Sequence, residues 1–107
     1  LIAPTTYLEP FGGVAVEAML AGTPVLTTNW GAFTETVQHG VTGWRCRNLR
    51  EFLTGIDACT GMDRALIADT AYRRYSTDVV RWLYRDYLRR LDTLRSDGWY
   101  SLAAAAH

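Results

Sequence analysis

The chain has 107 residues, eleven acidic and eleven basic side chains with a formal net charge of zero, and 49% hydrophobic residues. That length allows one domain with a modest core, and that composition excludes intrinsic disorder. Zero net charge gives no field that would draw in nucleic acid or an anionic membrane, and no apolar run approaches the roughly 18 residues of a membrane-spanning helix.

Leu1–Ala3 reads as the end of an apolar strand, stopped by Pro4. Because the chain opens on Leu inside such an element, a fragment of a longer protein is expected. A loop follows over residues 5–11. Gly12-Gly13 then opens a helix to about Leu20, closed by Ala21-Gly22. Pro24–Thr28 is apolar and β-branched, as a buried parallel strand requires. Strand, loop, helix and strand in that order make a βαβ unit.

Asn29–Phe33 is a turn-rich loop around Gly31, and Thr34–Gln38 has room for one or two helical turns. His39-Gly40-Val41-Thr42-Gly43 is a second turn, and Trp44–Cys46 a short strand. Asn48 and Glu51 have the spacing of a capping box for a helix to about Cys59. Gly61 interrupts, and another helix covers about Asp63–Tyr75. Ser76 is placed to cap a last, long helix, with Asp78 against its N-terminal dipole. There Val80, Leu83, Tyr84, Tyr87, Leu88, Leu91 and Leu94 recur at helical period, and Arg81, Arg85 and Arg89 read as a solvated face. Residues 1–96 are read as one partial α/β domain and residues 97–107 as a low-complexity tail.

All eleven basic residues are Arg. Cys46 and Cys59 have no metal-type spacing with His39 or His107 and read as free thiols of a reducing compartment.

The chemistry concentrates in residues 9–17. Two glycines at a helix start let a ligand approach the backbone. The N–H groups of the first turn and the positive end of the helix dipole suit an anion such as a diphosphate. Glu9 lies beyond the carboxyl end of the first strand, where open α/β sheets bind ligands. Glu17 stands four residues after Gly13, on the same side of the helix. A carboxylate accepting from two vicinal hydroxyls is a natural partner for a ribose or hexose diol. Phe11, Val14 and Met19 are expected in the core or the wall of this site. Trp44 is expected to pack, whereas Trp30 is open to either packing or service as a sugar platform.

Glu9-Pro10-Phe11-Gly12-Gly13-Val14-Ala15-Val16-Glu17, continued to Val25, resembles the signature of the family 4 retaining glycosyltransferases, the "glycosyl transferases group 1" class. Asn29–Val37 resembles that family's Gly-containing loop and helix, and His39–Gly43 its next turn. Tyr75-Ser76-Thr77 with the final helix resembles its C-terminal segment. Thr34 stands where the family usually has Pro, and the basic residues that usually clamp the diphosphate would lie upstream.

The resemblance implies the GT-B architecture of two Rossmann-like domains, of which this chain is part of the C-terminal, donor-binding one. Its own fold class is then α/β, a partial Rossmann-like domain with a short parallel sheet and flanking helices, ending in a long helix. The implied activity is transfer of a hexose from a nucleotide-diphosphate sugar to an acceptor with retention. By motif position Glu9 contacts the donor sugar, its catalytic role left open, and Glu17 contacts the ribose. The backbone of Phe11, Gly12, Gly13 and Val14 contacts donor sugar and diphosphate. No cofactor and no metal ion is expected. The implied partners are the nucleotide sugar, an unknown acceptor and an N-terminal GT-B domain, with no nucleic acid and no transmembrane segment. The expected location is cytoplasmic, or peripheral on the cytoplasmic face of a membrane, and the isolated fragment is expected to be inactive. Two alternatives share the same local physics: a donor-binding subunit of a split glycosyltransferase, and a nucleotide-sugar epimerase relative that transfers nothing.

Overall fold

The computed structural model describes residues 1–94; the tail expected over 97–107 lies outside them. Two compact units divide at Tyr75, one covering Leu1–Tyr75 and the other beginning at Ser76.

The first unit is built on three parallel strands, β1 (Ile2–Ala3), β2 (Val25–Thr28) and β3 (Gly43–Cys46), in the spatial order β1-β2-β3. Ile2 pairs with Leu26 across the first interface, and Val25 with Gly43 across the second. The connection from β1 to β2 is α1 (Gly13–Leu20), so the expected βαβ unit is present. Side chains alternate across a strand, and β2 serves both faces of the sheet. Val25 joins Ala15, Val16 and Met19 of α1, together with Phe33, Val37, Ile67 and Ala71, in one buried cluster. Its neighbour Leu26 faces the other way, against α3 (Leu49–Thr60), whose Gly55 lies close under Leu26 and Trp44. Ile67 and Ala71 belong to α4 (Arg64–Tyr75), which packs beside α1. Helices therefore cover both faces, as in a doubly wound α/β sheet.

The segment between β2 and β3 departs from its sequence reading. The one-turn helix α2 spans Phe33–Thr36 rather than 34–38. Val37 is already extended, at φ −98° and ψ 114°, and the Thr42 hydroxyl accepts from the Gln38 N–H. Those bonds form the turn into β3 and end the helix early.

Asn48 caps α3 as its spacing predicts, its Oδ1 accepting from Glu51 N–H at 3.0 Å. Asp63, expected inside the next helix, instead precedes α4, and its Oδ1 accepts from Leu66 N–H at 3.1 Å. The Glu51 carboxylate reaches back one residue further than a capping box requires, accepting from the N–H of Arg47 at 2.6 Å and from its guanidinium. That charge-assisted bond holds the Glu51 carboxyl below its usual pKa.

Strand β1 forms one edge of the sheet, and Ile2 is exposed there. A cavity of about 440 Å³ opens beside this edge, lined by Leu1, Ile2, Pro24, Leu26, Ile56 and Met62 among others. An open apolar edge is expected where further strands of a larger sheet would pair.

The second unit begins with α5 (Thr77–Thr93). Ser76 Oγ accepts from Val79 N–H and Asp78 lies in the first turn, both as the sequence predicts, and Asp86 pairs with Arg90 at 2.8 Å. No residue of this helix is buried, and Tyr84, Tyr87 and Leu88 are exposed. Among the described residues no helix is long and apolar enough to cross a membrane.

Candidate functional site

Two loops meet at the carboxyl ends of β1 and β2. The first runs from Pro4 to Gly12 and carries Glu9; the second runs from Asn29 to Ala32. Thr5 ties them together, its carbonyl accepting from the Thr28 hydroxyl at 2.9 Å and from the Trp30 indole N–H at 3.2 Å. The Glu9 carbonyl accepts from Ala32 N–H at 2.8 Å. Trp30 is thus a buttress by its nitrogen, while the residue as a whole remains 43% exposed.

Gly31 is the point of closest approach. Its φ is +58°, and a Cβ there would lie 2.7 Å from the backbone N of Glu9 and 2.9 Å from its carbonyl O. Both the left-handed backbone and the lack of room demand glycine. Gly31→Ala is therefore expected to destabilise the Leu1–Tyr75 unit by about 2–5 kcal/mol, the sum of left-handed strain and overpacking. A denaturant midpoint equal to wild type would show that the loops do not abut.

Glu9 is half-buried, and both carboxylate oxygens are held. Oε1 accepts from Gly12 N–H at 3.0 Å, and Oε2 accepts from the Tyr7 hydroxyl at 2.9 Å. The carboxylate beside it pushes the Tyr7 phenol above its ordinary pKa, because a phenolate would lose the hydrogen bond and meet a like charge. Each oxygen keeps a second lone pair, so the carboxylate can still accept from a ligand hydroxyl.

Gly12 is the N-cap of α1, at φ 78°, and no side chain caps the helix. Phe33, 2% exposed, lies directly beneath it: a Cβ on Gly12 would come within 2.6 Å of the Phe33 ring. Ala15 and Val16 N–H both reach the Gly12 carbonyl, and Gly12 N–H is taken by Glu9. The N–H groups of Gly13 and Val14 are left with no side-chain cap, and the first turn holds no acidic residue. By contrast α3 and α5 each have both a side-chain cap and an acid in the first turn. The end of α1 is a place where an external anion can replace the missing cap.

The remaining residues divide between core and surface. Glu17 is exposed on α1, and Met19 is in the core at 1% exposed. Phe11 is 51% exposed, with its ring edge-on to Tyr75 at 6.0 Å, and Val14 is 64% exposed. Neither of these two belongs to the core. Trp44 packs as expected, half-buried, with its ring 4.3 Å from that of His39.

Sequence reasoning missed Tyr7, Phe33 and Gly31 as parts of this site. Gly31 had the one readable signal, a lone glycine in the loop after a buried strand. Among the described residues no cluster of His, Cys, Asp or Glu could hold a metal ion, and Cys46 and Cys59 are unpaired and buried.

Comparison with known proteins bears on the family of this segment. Residues 1–51 match the family described as glycosyl transferases group 1. An uncharacterized glycosyltransferase of Methanocaldococcus jannaschii is 38% identical over 76 residues, covering 70% of this chain and 18% of that protein. Glycogen synthase of Mycobacterium tuberculosis is 51% identical over 45 residues, 42% of this chain and 11% of that one. The alpha-1,3/1,6-mannosyltransferase alg-2 of Neurospora crassa is 54% identical over 44 residues, 41% of this chain and 9% of that one. The matched segment spans less than a fifth of the length of each of these relatives.

Proposed function

The chain belongs, through residues 1–51, to the glycosyl transferases group 1 family, and from that premise we propose that it is the donor-binding part of a GT-B enzyme that transfers a hexose with retention from a nucleotide-diphosphate sugar. The observation that carries this reading is the pair Glu9 and Glu17 on either side of an α1 N-terminus with no side-chain cap. The N–H groups of Gly13 and Val14 take the diphosphate, helped by a dipole contribution of roughly 0.3–1 kcal/mol for an exposed group. Glu9 accepts from hydroxyls of the sugar and Glu17 from those of the ribose. The exposed faces of Phe11 and Val14 border the bound donor. Anion binding by backbone dipoles offsets diphosphate charge without a metal ion.

Catalysis then rests on positioning and on stabilising the departing diphosphate. The acceptor and the opposite wall of the cleft come from a second, N-terminal GT-B domain. We place the activity in the cytoplasm or at the cytoplasmic face of a membrane, in keeping with two buried thiols that are not paired.

The test is product analysis with the full-length protein and a panel of labelled nucleotide sugars. The expected product is a glycoside with the anomeric configuration of the donor, read by proton NMR. Inversion at that carbon would overturn retention. An epimerised donor formed without acceptor would overturn transfer.

A further inference from the structure

A second cleft lies at the carboxyl ends of β2 and β3, lined by Asn29, His39, Trp44, Arg45, Arg47 and Glu51, with a volume of about 320 Å³. None of residues 9–17 lines it. Its position is where open α/β sheets take ligands, yet the donor site as proposed leaves it unused.

Its charges do not cancel. Arg47 and Glu51 close on each other, with guanidinium-to-carboxylate distances of 2.8 and 3.0 Å, and so neutralise one another. Arg45 has no carboxylate partner among the described residues. Its guanidinium donates through one terminal nitrogen to the uncharged Thr34 carbonyl at 3.0 Å. Its Nε is shielded from solvent and has no hydrogen-bond partner among the described residues. A buried donor of a charged group without an acceptor is costly and rare in native proteins.

The neutral side chains also present donors. His39 Nδ1 accepts from Arg45 N–H at 3.0 Å, which in the neutral ring puts the proton on Nε2 and makes that nitrogen a donor. Asn29 adds an amide. The rings of His39 and Trp44, 4.3 Å apart and inclined at 46°, supply one apolar wall. The cleft holds the volume of about ten waters, more than a bare oxyanion fills.

We propose that this cleft binds a small molecule through an oxyanion group, carboxylate or phosphate ester, with Arg45 as its cation and His39 and Asn29 as neutral donors. One uncompensated positive charge among neutral donors selects a compact anion over a cation or a neutral sugar. The ring wall accommodates the body of the molecule that carries it.

The test is a titration of the protein followed by NMR at the His39 ring, the Trp44 indole and Arg45 Nε–H. Inorganic phosphate and acetate serve as probes, with sodium chloride used to hold ionic strength constant. Saturable shifts are expected at all three groups with millimolar half-saturation, and the tighter of the two probes identifies the oxyanion. Arg45→Gln should weaken binding roughly tenfold. Glu51→Gln should tighten it several-fold, because it removes the negative charge that offsets Arg47. The second variant keeps the test decisive if the first does not fold. Absence of saturation by 50 mM, equal shifts with chloride alone, or equal affinity in the variants would overturn the proposal.

Discussion

Gly43→Ala is expected to unfold the Leu1–Tyr75 unit or to leave it barely stable. A Cβ on Gly43 would be driven into the carbonyl oxygen of Val25 and would lie 2.7 Å from Val25 Cγ2. Neither atom can retreat. Val25 is fully buried at 0% exposed, sits on the central strand of the sheet, and is the direct register partner of Gly43. Its side chain belongs to the cluster that joins α1, α2 and α4 to β2. Overpacking of this kind costs about 1–3 kcal/mol, and parting the strands would add the loss of ladder hydrogen bonds at about 1 kcal/mol each. A unit of this size has roughly 4–11 kcal/mol in total, so a loss of about 3–5 kcal/mol removes much of it. Denaturant unfolding followed by tryptophan fluorescence measures the effect. Gly61→Ala is the control, since a Cβ there meets nothing within 4 Å and its φ is −94°; it should shift stability by less than about 0.5 kcal/mol. A Gly43→Ala midpoint equal to that of the control would mean that β2 and β3 are not paired in this register.

Glu9→Gln and Glu17→Gln are each expected to lower kcat/KM for sugar transfer by about 100-fold in the full-length protein. A hydrogen bond to a charged group contributes about 1.5–3 kcal/mol, and the upper part of that range corresponds to such a factor. The two variants separate ligand contact from structural support in different ways. Glu17 is exposed and, among the described residues, no hydrogen bond depends on its side chain, so its variant should keep wild-type stability within about 0.5 kcal/mol. Loss of transfer with stability intact is then a direct sign of a ligand contact. Glu9 also accepts from Gly12 N–H and Tyr7. Gln keeps a carbonyl oxygen for Gly12 and removes the charge, so folding is largely preserved while the bond proposed to the sugar weakens. Wild-type turnover in both variants would overturn the assignment of this site.

The elements of this fold were legible because their signals are local. Asn48 and Ser76 cap α3 and α5 as predicted, since a cap is an affair of one side chain and an N–H three residues on. The helix start at Gly12-Gly13 and the strand at Val25–Thr28 follow from glycine punctuation and a short β-branched run. The reading slipped at α2, where one turn of helix competes with the turn formed by Thr42, Gln38 and Gly43. Nothing within the segment decides that competition, because the hydroxyl that ends the helix comes from beyond it.

By itself the sequence determined the βαβ order, the glycines at the start of α1 and the spacing of Glu9 and Glu17, all properties of neighbours along one chain. Periodicity and backbone preference act over a few residues, so they survive translation into a linear string. Only the tertiary structure decided what surrounds those residues: Gly31 against the backbone of Glu9, Phe33 beneath Gly12, and Arg45, its Nε without a partner among the described residues, in a cleft beside Trp44. The first two contacts join residues about twenty apart, and the third depends on two strands lying side by side. Their geometry is set by close packing of the whole core, where each side chain's place depends on all the others.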